Sequence, residues 1–152
     1  MKIAINVQSL RDKGILIFGD ENFRGACPKE NMASQTLVNQ TRIRYPNTVF
    51  MHIKNEGKRT KNQIDFDKTM GFRKGASDYL FIGYPTMALE IKQENHKNST
   101  IDTEQIRFLE DVIKSGGIGA VAFGGVASVE AMEYFSINAK KTTWLRGVNA
   151  MW

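Results

Sequence analysis

The strongest limit on the fold comes from residues 79–123. They contain two short apolar segments joined by a turn, then an amphipathic segment, then another apolar run. Residues 79–82 and 87–91 are apolar, and the Gly-Tyr-Pro-Thr sequence at 83–86 is typical of a turn, which predicts a hairpin. Residues 101–115 repeat apolar side chains at helical spacing, and residues 120–123 follow as a buried-type strand. A hairpin and a strand–helix–strand crossover together predict a mixed sheet with helices on its faces.

The rest of the chain extends this α/β pattern. The other regular segments are expected to be helices at 30–44, 60–69 and 126–135, and a strand at 49–53. Residues 3–7 and 15–18 are two more apolar runs, which are predicted to pair as a hairpin. The expected core is therefore a mixed four-stranded sheet in the order αβββαβ, followed by a terminal helix, within a single domain.

Length and residue usage exclude several classes of protein. The 152 residues match one ordinary domain, and no apolar run approaches the roughly 20 residues of a membrane helix. The first residues lack the apolar run of a signal peptide. Cys27 is the single cysteine, which excludes a disulfide framework and a thiolate zinc site. We therefore expect a reducing compartment, the cytoplasm.

Positive charge is concentrated in the first half of the chain. Residues 1–75 hold 14 Lys or Arg against 7 Asp or Glu, although the net charge of the whole chain is +5. A basic half favours an anionic partner such as nucleic acid. Ordinary solvated surface charge explains the same count, so charge alone does not decide between the two.

Three charged residues interrupt the apolar hairpin. Glu90 and Lys92 share one face of their strand because side chains alternate along a strand. If the turn is centred on Pro85, Asp78 faces Lys92, and a slip of one or two residues places it opposite Ile91 or Glu90. Opposed residues have Cβ atoms about 4.5–5.5 Å apart. Two carboxylates and one ammonium therefore converge in any of these registers.

Such a group is suited to phosphodiester hydrolysis. Adjacent carboxylates repel each other, and a divalent cation removes that conflict. Mg²⁺ prefers oxygen ligands and often binds one or two carboxylates together with a phosphate, while Lys92 could stabilise the charge that develops. The ordinary alternative for Glu90 and Lys92 is an ion pair on an exposed edge strand. Gln105 has two readings as well, either in the site or in a helix cap with Asp102.

The motifs between Glu30 and Phe135 resemble the VRR-NUC family of the PD-(D/E)xK nuclease superfamily. The matching sequences are Glu30 at a helix start, Tyr-Pro at 45–46, Ile-Lys-Asn-Glu-Gly-Lys-Arg at 53–59, Met-Gly-Phe-Arg-Lys-Gly-Ala-Ser-Asp at 70–78, Leu-Glu-Ile-Lys at 89–92, and Gln105 before Gly-Gly at 116–117. The resemblance implies the αβββαβ core and Mg²⁺, or Mn²⁺ in its place. It further implies the following site: Asp78, Glu90 and the backbone carbonyl of Ile91 as metal ligands, Lys92 beside the attacking water, and Glu30 and Gln105 completing the set. The alternative reading of Glu30 is a carboxylate favoured by the helix dipole.

The resemblance also implies a DNA partner. The expected DNA contacts are Asn55, Lys58, Arg59, Lys61, Arg73 and Lys74. His96 is expected in an exposed loop near the site. In its small size the chain resembles the stand-alone members of the family, which are small homodimers that cut branched DNA such as four-way junctions. Phages often carry these members, and a phage protein would act in the host cytoplasm. A sequence-specific homing or restriction-type nuclease, and a non-catalytic nucleic-acid-binding module, remain alternatives.

The extent of this match divides the chain into three parts. Residues 28–138 form the expected nuclease core, with residues 1–27 as an N-terminal extension and 139–152 as a tail. The tail is basic and aromatic, which suits stacking on nucleic acid, but its tryptophans, Trp144 and Trp152, are expected to dock on the domain or on a second subunit. Residues 15–18 are the other candidate contact between subunits.

Overall fold

The computed structural model describes residues 1–54 and 59–150, with side chains up to residue 139. Along the chain its elements are β1 (Lys2–Ala4), α1 (Val7–Asp12), β2 (Leu16–Phe18), α2 (Glu30–Arg44), β3 (Phe50–His52), α3 (Lys61–Thr69), β4 (Tyr79–Phe81), β5 (Met87–Lys92), a 3₁₀ turn (His96–Asn98), β6 (Thr100–Asp102), α4 (Thr103–Lys114), β7 (Ile118–Phe123) and α5 (Gly124–Ala150). No helix among the described residues is both long and apolar enough to span a bilayer.

A five-stranded mixed sheet in the order β2-β7-β5-β4-β3 forms the centre of the protein. Strand β5 pairs antiparallel with β4 and parallel with β7, as the predicted hairpin and crossover require. This confirms the mixed α/β fold. The sheet has five strands and not four, because β2 from the N-terminal extension adds to β7 in parallel.

The predicted hairpin between residues 3–7 and 15–18 is wrong. Strand β1 pairs with β6, where Ile3 lies opposite Ile101, and β2 pairs with β7. The segment between them forms helix α1, because the side chain of Asn6 caps its first turn through the N–H of Ser9. Gly14, at φ +82°, then turns the chain into β2. The extension is thus built into the sheet and into a second, two-stranded ribbon.

Helices cover both faces of the central sheet. Leu37 of α2 and Met132 of α5 pack on one face against the odd-numbered residues of β5, such as Leu89. Leu109 of α4 packs on the other face, with Ala88 of β5. Strand alternation therefore directs the even-numbered residues of β5, which include Glu90 and Lys92, toward α4.

Several boundaries differ from the expected ones. Strand β7 begins at Ile118 and α5 at Gly124, each earlier than expected. Helix α4 begins at Thr103, because residues 100–102 form β6 and Asp102 caps the helix. Helix α5 continues to Ala150, well past residue 135, since no proline interrupts that stretch. The residues expected to form a separate tail from 139 therefore extend this helix as far as Ala150.

Candidate active site

Glu90 and Lys92 form a buried ion pair in the middle of the sheet. They are 1% and 6% exposed, and Lys92 Nζ lies 2.9 Å from Glu90 Oε1. Strand β5 is flanked by β4 and β7, so the pair is not on the exposed edge strand that the ordinary reading assumed. Because removing two charges from water costs more than such a pair usually returns, stability does not explain its presence. The buried charges make Glu90 and Lys92 candidates for a chemical role.

Asp78 lies across from this pair. The register pairs Tyr79 with Leu89, which places Asp78, one residue before β4, opposite Glu90. Of the three registers considered from the sequence, this is the one shifted by two residues. Asp78 Oδ2 accepts a hydrogen bond of 2.8 Å from the N–H of Ile91. This bond holds the carboxylate next to the strand that carries Glu90.

Gln105 caps its helix and also contacts Glu90. Its Oε1 accepts a hydrogen bond from the N–H of Asp102, which closes the capping box of α4. Its Nε2 donates a hydrogen bond to Glu90 Oε1. The cap thus fixes the amide, and the amide in turn fixes one oxygen of the buried carboxylate.

Glu30 reaches the site from the first turn of α2. Its Oε1 accepts a hydrogen bond of 2.9 Å from the hydroxyl of Ser99, and that hydroxyl accepts one from the N–H of Gln93. Glu30 and Asp78 line the same cavity. Ser99 is buried and was missed from the sequence, because a lone serine after a polar loop carries no motif that separates it from its neighbours.

Burial and neighbouring charges shift the pKa values of the site residues. Burial and the charge of Asp78 raise the pKa of Glu90 to about 8. Burial also raises the pKa of Asp78, with Glu30 adding to the effect. Burial alone would lower the pKa of Lys92, but Glu90, Glu30 and Asp78 together raise it above its usual value. Burial and the neighbouring carboxylate thus favour the protonated form of Glu90, whereas Lys92 favours the ionised form.

These residues fit a divalent cation. Glu90 Oε2 is buried and has no hydrogen-bond partner among the described residues, although a carboxylate oxygen needs one. No group of three or more His, Cys, Asp or Glu side chains suited to a metal occurs in residues 1–54 and 59–139. Mg²⁺ needs fewer side chains, because it retains several waters. Asp78 and Glu90 supply two oxygen donors of the required kind.

The site opens into a cavity of about 590 Å³. Asp78, Lys92 and Gln105 line it together with residues to which the sequence motifs assigned no role in the site. Those residues include Lys2, His52, Lys54, Asn98 and Ser99. His52 Nδ1 lies 2.8 Å from the backbone carbonyl oxygen of Asp78.

Gly75 holds one wall of the cavity against α4. Its φ is +80°, and a Cβ at this position would lie 2.6 Å from the carbonyl carbon of Glu104. We expect Gly75→Ala to lower the free energy of unfolding by about 2–4 kcal/mol, since backbone strain and overpacking add. Gly71→Ala is the matched control, because Gly71 has a similar φ of +86° but nothing within 4 Å. Urea unfolding would measure both, and equal losses would contradict the proposed clash.

The expected DNA contacts have different surroundings. Arg59 pairs with Asp67 at 2.9 Å and lies over the ring of Phe72, while Arg73 pairs with Asp111. Lys61 is exposed on α3, and Lys74 lines the cavity. The remaining two, Asn55 and Lys58, lie outside the described residues, as does Trp152.

His96 is not in an exposed loop. It is 4% exposed, its Nε2 lies 3.0 Å from the carbonyl oxygen of Glu21, and its ring packs on Phe123. The N-terminal extension covers His96. The sequence did not predict this, because it gives no packing partner for residues 1–27. His96 thus belongs to the packing of the extension.

The raised pKa of Glu90 predicts a pH-dependent stability. Between the ordinary pKa of 4.5 and about 8, the folded protein holds a proton that the unfolded chain has released, so stability falls as pH rises through this window. Gln cannot ionise, and Glu90→Gln removes this loss. In a chelating buffer, we expect the variant and the wild type to melt alike near pH 4.5, with the variant increasingly more stable toward pH 8. A constant difference in Tm across this range would contradict the prediction.

No family model and no curated protein matches the chain. A solved structure described as a "VRR_NUC domain protein" is similar to it, with a TM-score of 0.58 and 20% sequence identity, over 73% of this chain and 91% of that one. The resemblance read from the motifs is thereby confirmed at the level of the fold. The chain has the fold of a VRR-NUC domain.

Proposed function

We propose that residues 1–152 act as one nuclease domain, a metal-dependent endonuclease that hydrolyses phosphodiester bonds in DNA. The observation that carries this proposal is the buried Glu90–Lys92 pair with Asp78 opposite, at the wall of a cavity lined by lysines. The likeness to a VRR_NUC domain protein supports the same class of activity. A reducing cytoplasm, expected from the single Cys27, belongs to the same proposal.

Each residue has a role in the proposed reaction. Asp78, Glu90 and the carbonyl of Ile91 would hold Mg²⁺, or Mn²⁺ in its place. When bound, such an ion supplies Lewis-acid polarisation of the phosphate and lowers the pKa of water. Lys92 faces the cavity and stabilises the negative charge that develops on the phosphate while orienting the attacking water.

Two further residues keep the ligands in position. Gln105 holds Glu90 through its amide, and Glu30, in the first turn of α2, adds negative charge near Asp78. Ser99 fixes Glu30 in turn. These bonds pre-organise the site before substrate binds, which reduces the reorganisation needed during reaction.

Nicking of supercoiled plasmid tests the proposal. Purified protein is incubated with plasmid in Mg²⁺, in Mn²⁺ and in EDTA, and we expect relaxed circles with either metal and none in EDTA. A non-catalytic module would bind the plasmid but leave it supercoiled under all three conditions. A sequence-specific enzyme would give discrete fragments from linearised DNA, whereas a structure-selective one would not.

We further propose that the enzyme is a homodimer selective for branched DNA. One chain carries one Asp78–Glu90–Lys92 site, and two symmetric cuts at a four-way junction need two sites related by a twofold axis. Of the expected contact segments, Ile15 is buried in the core, while Leu16–Phe18 forms β2, the strand at one end of the sheet, which pairs with β7. The other edge of β2 has no paired strand among the described residues and remains the candidate contact. Light scattering, together with cleavage of linear, flap and four-way substrates, tests this. A 17.2 kDa particle with no junction preference would contradict it.

A further inference from the structure

Strand β1 contributes a cation to the wall of the candidate site. Lys2 lies in the N-terminal extension, far in sequence from the proposed catalytic residues, yet it lines the same cavity as Asp78 and Lys92. It is positioned there by the β1–β6 ribbon, in which Lys2 lies opposite Asp102. Asp102 caps α4, the helix that carries Gln105. The extension is therefore connected to the elements that build the site.

Two more lysines line this cavity. Lys54 follows β3, and Lys74 precedes Gly75 in the loop held against α4. All three lysines are exposed, and none forms an ion pair with a residue in the described part of the chain. Arg59 and Arg73 differ, since each already pairs with an aspartate. The cavity thus presents three cationic groups that no described salt bridge holds, beside a group of carboxylates, with Asp102 as a nearby charge.

We propose that Lys2, Lys54 and Lys74 bind the phosphates on either side of the cleaved bond, so that the N-terminal strand is part of the DNA site. This inference rests on the proposed nuclease function. A carboxylate site repels the phosphate backbone, and cations around its rim offset that repulsion where the strand enters and leaves. Lysine contacts phosphate as a point charge without reading base sequence. These lysines therefore supply affinity and not base specificity.

The experiment measures DNA affinity as a function of salt. Binding of a fluorescent 20-base-pair duplex is followed by anisotropy in EDTA, which prevents cleavage, from 50 to 300 mM salt. We expect Lys2→Ala and Lys74→Ala each to weaken binding and to lower the slope of log K against log salt by about 0.9, the value for one lost phosphate contact on duplex DNA. Lys54→Ala should give the same change.

Lys114→Ala is the matched control. It removes the same charge from an exposed position on α4, nine residues or about 13 Å along the helix from Gln105. Its slope should equal that of the wild type. Circular dichroism verifies folding, and Lys2→Arg, which retains the charge, should restore the slope.

Two results would overturn the inference. The first is a slope for Lys2→Ala and Lys74→Ala equal to that of Lys114→Ala. The second is a change seen with duplex RNA and absent with DNA. Plasmid nicking by the wild type is measured in parallel, so that failure of the nuclease proposal is seen separately as an absence of metal-dependent cutting.

Discussion

Asp78→Asn, Glu90→Gln and Lys92→Met should each reduce metal-dependent DNA cleavage at least a thousandfold. The first two retain side-chain size and remove a carboxylate that would hold the metal, and the third retains length and removes the ammonium. A thousandfold loss corresponds to about 4 kcal/mol of transition-state stabilisation, which is within the range that one electrostatic contact in a dry site supplies. Initial rates of plasmid nicking at saturating Mg²⁺ would measure it.

Folding and total charge must be controlled in this comparison. Glu130→Gln removes the same charge as Asp78→Asn and Glu90→Gln, from an exposed position on α5 that has no role in the site, and Lys114→Ala does so for Lys92→Met. Both controls should cut at the wild-type rate. Removing one partner of the buried Glu90–Lys92 pair leaves the other group without its partner and lowers stability. The Tm of each site variant is therefore measured first, and cleavage is assayed well below it. A site variant that nicks plasmid as fast as Glu130→Gln would remove that residue from the mechanism.

The hairpin and its neighbours were predictable because their signals are local. The Gly-Tyr-Pro-Thr turn, the alternation along β5 and the helical stripe of α4 each depend on residues a few positions apart. The meeting of Asp78 with Glu90 follows from the same hairpin. The register remained open between three values, because it depends on the geometry of the turn and on the packing of the strand against its two neighbours.

The contributions of the N-terminal extension were not predictable in this way. Strand β1 pairs with β6 and Lys2 reaches the cavity across about a hundred residues of sequence, and no pattern within residues 1–27 points to either partner. The surroundings of Ser99 and His96 could not be predicted for the same reason. Their hydrogen-bond partners, Glu30 and Glu21, are distant in sequence. A local pattern can identify an element, but which distant element it meets is decided by tertiary packing.

Divalent cations should stabilise the fold strongly. A ligand that binds only the folded state adds about 2.7 kcal/mol at 100 times its Kd, which for a chain of this size corresponds to a rise in Tm of about 5–10 °C. The reason lies in the site itself, where Glu90 Oε2 has no partner among the described residues, and where burial and the charge of Asp78 raise the pKa of Glu90. Differential scanning fluorimetry over a Mg²⁺ titration would measure the rise, and EDTA should reverse it.

The position of the cation follows from comparing variants in the same titration. Asp78→Asn should lose the rise in Tm, because one of the two carboxylates that would hold the ion is gone, whereas Glu130→Gln should retain it. Ca²⁺ should also raise the Tm of the wild type, since it accepts the same oxygen ligands, yet support little cleavage because its looser coordination positions water less well. A rise that persists in Asp78→Asn would place the bound cation away from Asp78, and cleavage would then need a different set of ligands.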